Sequence, residues 1–522
     1  MTRSAHLVRL YLTLSESARG PAGPPPIVYD DGAMVRAAGP GAAAGFGRLL
    51  MLKLVRSVLP TIVTLGLASG AALAGTQYYV RPDGVDDPDL KLCNGLHDAP
   101  PTASPNCAFR TPNFAVNLKQ FRGGDDLRIA AGTYGRVRLK RLQGSASDPT
   151  VIEGDPAVAR SLIRLEAGPG EDEAFYSEGG GQGGGSTGHV TLRHLTVKAG
   201  GWWGIFFDGR NESILIEDVE MGPEETAPMA PAAQCQAFPD RNCRTGRSVQ
   251  RAAFIKVGEI NYQSSDITIR DSRFVGSRTA AAHGIEGVDA NAFFILGRAR
   301  IRNVEASHFL GSFVQEFTSG SIVEDCTITD TPCDSGDGCV YSYNDIGIIV
   351  RRNLFERVRG SGQFPVIAVR RTSARTPAGG VLAYNNTILS MPDVEGFEAC
   401  FSLKRGGSSS FGTGDSVFLN NIVMNGANRK RDTYAVQLNL CPADGHTVRV
   451  DHNAYFNNDE GRDFGNTAGC PGVFNAKSLH LDPRLDDRRR PPAGSPLCTG
   501  GDAAFVAPDG DRADPWIGAR PC

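Results

Sequence analysis

The stretch VFLNNIVMN, Val417 to Asn425, sets two asparagines side by side between apolar residues. Asparagine is poor strand material, so its place inside an apolar run needs a reason. Upstream stands GVLAYNNTIL (380–389) and downstream VRVDHNAYF (448–456); IIVRRNLF (348–355), SIVEDCTI (321–328) and DITIRDSRF (266–274) follow the same plan. Each carries an apolar strand residue, then Asn, Cys or Ser three positions later, then another apolar residue. The anchor runs through Ser272, Ser307, Cys326, Asn353, Asn386, Asn421 and Asn453, with successive differences of 35, 19, 27, 33, 35 and 32. Short β units recurring every ~20 to 35 residues are the sequence form of a solenoid. HVTLRHLTV (189–197) and ILIEDVEM (214–221) extend the array toward the N-terminus. A second strand often follows, as in GIFFDG, NAFFILG, FPVIAVRR, CFSLKR and AVQLNL, with turn-forming Gly, Ser, Asp and Thr between.

Stacked coils explain the asparagine. Each coil must turn a corner, and Asn tolerates the left-handed conformation there better than most residues. With coils ~4.8 Å apart, the amides of Asn353, Asn386, Asn421 and Asn453 can bond up the corner as a ladder. The asparagines are therefore expected to be architectural.

The chain has 522 residues, 63 glycines, 41% apolar and 21% charged residues, and a formal net charge of −3. This is a β-rich, turn-rich composition without a global pull toward nucleic acid or an anionic membrane. An acidic ligand would need a local basic patch. Residues 1–50 are Ala, Gly, Pro and Arg-rich without periodicity and are expected to be an upstream extension, with Met51 the true start. Residues 51–74 read as a secretory signal: Lys53 and Arg56, an apolar run broken by Pro60, and a small-x-small site at Ala72 to Ala74. Residues 75–522 are expected to be one exported, monomeric domain with no membrane anchor. All twelve cysteines, Cys93 to Cys522, fall after the signal, which suits an oxidising compartment. Local bridges are expected for Cys93 with Cys107, Cys235 with Cys243, Cys333 with Cys339 and Cys498 with Cys522; the rest stay open.

TQYYVRPDG (76–84), followed by GGDDLRIAAGTYGRVRLKRLQGSASDPTVIEGDP, resembles the opening of secreted right-handed parallel β-helix proteins of the pectin-lyase-like superfamily, and in its order the start of alginate lyases and chondroitinase B. AGSPLCTGGDA and DPWIGA are similar to the closing segment of such proteins. The resemblance implies an all-β, right-handed parallel β-helix with a short capping helix around Asn113 to Phe121. It does not select a reaction, which must be argued from the site. The paired-aspartate pattern of polygalacturonases is incomplete: CDSGDGCVYSYND offers Asp334, Asp337 and Asp345, with glycine where a second adjacent aspartate would stand. The DPHD signature of mannuronan epimerases and the WIDH and RxPxxR patterns of common pectate lyases are absent from the sequence.

Strand alternation sorts side chains by face. In FPVIAVRR, Ile367 and Val369 should point in, and Val366, Ala368 and Arg370 out; in CFSLKR, Phe401 and Leu403 in, Ser402 and Lys404 out. Stacked with neighbouring coils, these give an outward stripe of Lys256, Glu316, Tyr341, Tyr343, Arg370 and Lys404, with Gln315, Gln437 and Asn439 beside it. A basic, aromatic stripe suits an anionic, ring-shaped ligand. The alternative is a solvated face whose cations discourage edge pairing. Polysaccharide β-elimination needs the uronate carboxylate neutralised, the adjacent proton taken by a base and the leaving oxygen protonated. Arg370 suits the first, Lys404 or Lys256 the second, Tyr341 or Tyr343 the third. Calcium could replace the arginine, with Glu286, Asp289 and Glu316 as the available oxygen ligands. His283 and His308 are further bases by pKa, though turn histidines are commonly structural. Glu178 to Gly188 is glycine-rich but lacks a phosphate loop's Lys; 222–250, with Cys235 and Cys243, is expected to be a stapled loop beside the groove. The function expected is action on an acidic polysaccharide, by elimination; a non-catalytic binding β-helix, or a hydrolase or epimerase of uronate polymers, are the rivals.

Overall fold

The structure, a computed structural model, describes residues 75–522 except 169–170, 172, 180–185, 199–202, 223–252, 259–263, 277–290, 310, 319, 332, 334–337, 344–347, 359–365, 372–379, 391–399, 406–413, 425–433, 439–440, 442–445, 458–463, 466–469 and 475. Side chains at 291, 294, 316–317, 342–343, 369–371, 390, 404–405, 464–465 and 473 are likewise not described. The expected boundaries at 50 and 74 lie outside the described residues.

Every pairing between named strands is parallel, and each strand pairs with its counterpart one coil on. The chain is thus a parallel β-helix with three strand faces. One face carries Ile348–Arg351, Val381–Tyr384, Ser416–Leu419 and Val448–Asp451; the next carries Leu354–Val358, Thr387–Ser390, Ile422–Met424 and Ala454–Phe456; the third carries Val340–Tyr343, Ile367–Arg371, Phe401–Arg405 and Val436–Leu438. Inward side chains stack into one core. Phe254, Phe274, Phe293 and Phe313 form a continuous tilted and edge-on pile with centroids 5.7, 5.0 and 5.2 Å apart, where each such pair adds roughly 0.5–1.5 kcal/mol beyond area burial.

The corner between the first two faces answers the opening question with two different roles. The left-handed residue is the one before the ladder: Arg352, Asn385, Asn420 and His452 have φ of 55°, 53°, 55° and 51°. The expectation that the ladder asparagines themselves take that conformation is corrected. Asn353, Asn386, Asn421 and Asn453 are fully buried and bond up the stack. Asn353 donates from its amide N and Nδ2 to Asn386 Oδ1 (both 3.1 Å), Asn386 to Asn421 Oδ1 (2.9 and 3.0 Å), and Asn421 to Asn453 Oδ1 (2.8 and 3.0 Å). Cys326 N joins the bottom by donating to Asn353 Oδ1 at 3.0 Å, and Ser478 Oγ closes the top. Ser307 is not in this ladder. It pairs with Thr329 on the second face, and the corner of its coil is Val304, after left-handed Asn303, so the spacing becomes 272 to 304 to 326.

The first asparagine of each NN pair holds the C-terminal segment, which returns along the outside of the coils. Asn385 Nδ2 donates to Trp516 O at 2.7 Å and Asn420 Nδ2 to Asp514 O at 3.0 Å. Gly518 N donates to Asn420 O, and its φ of 102°, with Ile422 Cδ1 2.6 Å from where a Cβ would sit, requires glycine there. Along the first face runs a column in register whose charge alternates through Arg128, Glu153, Arg193, Glu217 and Arg270 and again through Arg302, Glu324 and Arg351. Glu324, 1% exposed, accepts from Arg351 at 2.6 Å and Arg300 at 2.5 Å. Arg351 and Arg352 reach across to Asp509 and Asp511 of the returning segment, both at 2.8 Å.

Burial pushes the Glu324 and Asp511 carboxyls up, but arginine hydrogen bonds and charge outweigh it and leave both below their ordinary values of 4.5 and 3.8. A lowered folded pKa adds stability above the unfolded value and loses it as pH falls through the folded value. Asp514, raised by burial, acts in the opposite sense but makes none of these arginine bridges. The expected result is that amides of Gly518 and Ala519 lose hydrogen-exchange protection as pH falls below about 4, the ordinary carboxylate range, before the coils do. Protection that falls only together with the core strands would contradict it.

The bridges Cys93–Cys107, Cys333–Cys339 and Cys498–Cys522 are present, with Cys441–Cys470 in addition; Cys235 and Cys243 lie outside the described residues. Cys326 and Cys400 are buried thiols, and burial pushes Cys326 up to about 12. Alkylation after denaturation without reductant should therefore label Cys326 and Cys400 and spare the eight bridged cysteines; labelling of those eight in exported protein would contradict the pairing. The helix near the N-terminus is Pro112–Val116, shorter than expected, N-capped by Thr111, whose side chain accepts from Phe114 N. Among the described residues no helix is long and apolar enough to cross a membrane.

Candidate functional site

The third face carries the predicted stripe, and its register can be followed residue by residue. Phe206 pairs with Lys256, Lys256 with Phe294, Phe294 with Gln315, Gln315 with Tyr341, Tyr341 with Ala368, Ala368 with Ser402 and Ser402 with Gln437. Phe401 and Leu403, on the opposite parity, are core residues with no exposure, so the Ser402 column faces outward as alternation requires. Val366 departs from that alternation. It lies in the core beside Ile367, so two successive residues face inward where the strand begins.

Two positions further along the same strands, Tyr343 pairs with Arg370 and Arg370 with Lys404. The neighbouring Arg371 pairs with Arg405. The side chains of Tyr343, Arg370 and Lys404 lie outside the described residues, so the backbone register alone locates them: one column, one coil apart. Beside this column, Ser402 Oγ and Gln437 Oε1 are buried on adjacent coils and have no hydrogen-bond partner among the described residues.

Tyr341 differs from the open position expected. It has no exposure, although its column faces outward. Lys256 is half-buried, with Nζ 4.6 Å from the Trp203 ring centroid and 4.3 Å from that of Phe206. Four coil steps, ~19 Å at the ~4.8 Å strand spacing, separate it from the coil of Arg370, so the two cannot grip one sugar ring. The register pairs Gln315, not Glu316, with Tyr341; the Glu316 side chain, with Glu286, Asp289, His283, Asp334, Asp337 and Asp345, lies outside the described residues. Among the described residues no three His, Cys, Asp or Glu are grouped to hold a metal ion, and the candidate calcium ligands are among those outside. His308 takes a left-handed turn conformation, φ 59°, which suits its architectural reading.

The N-terminal end of this face holds aromatic residues that the stripe did not include. Tyr176 pairs with Phe206, and Arg136 and Arg138 approach its ring at 5.6 and 5.5 Å. Its hydroxyl donates to Asp208 Oδ2 at 3.0 Å, and burial, then the Asp208 charge, raises its pKa. The Trp203 and Phe206 centroids are 4.6 Å apart. The signal was in FYS, WWGIFF and FIKV, which recur at coil spacing with their aromatics or cation in step.

No family model matches the chain, and no curated protein matches it. Among solved structures it is similar to XylC in complex with xylose (12% identity, 78% of this chain and 87% of that one, TM-score 0.41). It is also similar to pectate lyase Pel9A (14%, 85% and 96%, TM-score 0.41) and to an alginate lyase from Paenibacillus sp. str. FPU-7 (14%, 70% and 96%, TM-score 0.31). The fold assignment rests on the chain's own strand pairing, and likeness at this level adds nothing about chemistry.

Proposed function

We propose that the chain is an exported enzyme that cleaves an acidic, uronate-containing polysaccharide by β-elimination at the Tyr343–Arg370–Lys404 column. The observation that carries this reading is the register pairing of Arg370 with Lys404 and of Tyr343 with Arg370, which brings three groups of the required types to one sheet position. Arg370 neutralises the uronate carboxylate, making the proton at the adjacent carbon more acidic. Lys404, paired with Arg370 in the backbone register, takes the proton as general base; a neighbouring cation favours the neutral amine it needs. The electron pair forms the new carbon–carbon double bond as the glycosidic carbon–oxygen bond breaks, and Tyr343 delivers a proton to the leaving oxygen. No step is routed through calcium. Four disulfides support the reading of 51–74 as an export signal, with mature protein beginning near Gly75.

Mixing the purified protein with alginate, pectate and glycosaminoglycans tests the proposal. At least one polymer should yield the ultraviolet absorbance of an unsaturated uronate. Binding without that absorbance would favour the non-catalytic β-helix.

A further inference from the structure

We infer that Trp203, Phe206 and Lys256 form a distal subsite that holds a sugar ring of the same polysaccharide about four coils from the reacting bond, an inference that rests on the proposed lyase reading for its substrate. Phe206 and Lys256 stand on the outward parity of the strand stack that carries Arg370 and Lys404, with the Trp203 ring against both, and successive parallel pairings connect the two coils. A polymer lying along the helix axis would therefore meet both.

The chemistry fits one occupant. Trp203 is half-buried, and the buried Phe206 ring, 6% exposed, packs against it at 4.6 Å with the planes tilted by 44°. A ring held by a packed neighbour offers a rigid flat surface, and sugar C–H faces pack on such surfaces with little entropy loss. Lys256 Nζ stands 4.6 Å from the Trp203 centroid, so a fixed cation accompanies the ring. A flat apolar patch with an attached cation is complementary to a uronate, which has an apolar ring face and a carboxylate at its edge. One coil earlier, Tyr176 continues the surface, its ring 5.5 Å from Phe206, with Arg138 over it at 5.5 Å. Arg138 is tied to Glu178 at 2.7 Å and Tyr176 to Asp208 at 3.0 Å, so these groups are already oriented. Spacing then gives the subsite its role. At ~19 Å from the Arg370 coil, it is reached by a chain of several sugars and is beyond a di- or trisaccharide, so it contributes binding for long chains and none to the chemical step.

The test is the length dependence of Trp203→Ala, with Trp203→Phe as a conservative control and thermal unfolding to confirm the fold. On long polymer, Trp203→Ala should raise KM by about tenfold or more with kcat unchanged, since it removes binding shared by ground and transition state. On a trisaccharide KM should not move, and Trp203→Phe should restore most of the loss on polymer. Lys256→Met should raise KM on charged polymer in the same length-dependent way. Equal changes on short and long substrates, or none on either, overturn the inference. Affinity electrophoresis in the same polymers separates it from the lyase reading. If no unsaturated product forms but retardation is lost in Trp203→Ala, the subsite stands and elimination fails; if wild type and Trp203→Ala are retarded equally or not at all, the subsite fails.

Discussion

Lys404→Ala and Arg370→Ala are each expected to lower turnover on the preferred polyuronate by about a hundredfold or more, the usual scale for losing an acid-base or charge-stabilising group, while unfolding midpoints stay close to wild type. Both residues stand at paired positions of adjacent strands on the outward parity, with Leu403 and Phe401 carrying the core contacts of that coil, so truncation leaves the core intact. The double variant should cost less than the product of the singles, because groups that serve one transition state are not additive. Steady-state kinetics with circular dichroism checks this. Effects under about threefold in both singles would leave these cations as a solvated strand face.

The second large effect is on stability. Asn386→Leu is expected to destabilise the fold by about 3–5 kcal/mol, since it leaves Asn353 N and Nδ2 without their acceptor in a fully buried corner at about 1–3 kcal/mol each, and Asn386 Nδ2 no longer bridges Val350 O at 2.9 Å and Asn421 Oδ1 at 3.0 Å. Asn385→Ala, one residue earlier, should act differently. It removes the bond to Trp516 O and should loosen the returning C-terminal segment while the coils keep most of their stability. Equilibrium denaturation and exchange at Gly518 read the two separately. Similar global losses in both variants would contradict the division of labour within the NN pair.

The coil repeat was legible because a buried polar residue recurring in apolar surroundings has few explanations other than a ladder. Its exact corner was less so. Arg352 and His452 are not turn formers by type, so their left-handed backbone left no compositional mark, and Val304 offered no polar group, which let Ser307 stand in for it. The alternating-charge column was written in VIEG, TLRH, LIED and IVED, in the last three at the position just before a left-handed residue, but a charged residue at a strand end also reads as ordinary surface. Alternation sorted Ile367, Phe401, Ser402 and Leu403 correctly because it is local. It failed at Val366, where the corner suspends the period of two, and did not foresee the burial of Tyr341, since the period of two sets direction and not exposure. Lys256 was legible as an outward cation, whereas its distance from Arg370 needed the coil count, which long loops between strands obscure.

The mass of the fragments released from a defined uronate oligosaccharide tests the central claim most directly. Elimination breaks the glycosidic bond without adding water, so the two product masses should sum to the mass of the substrate, with the new double bond on the fragment that carried the abstracted proton. Products whose masses sum to substrate plus one water would show hydrolysis and contradict the assignment of Lys404 as the base that takes the ring proton.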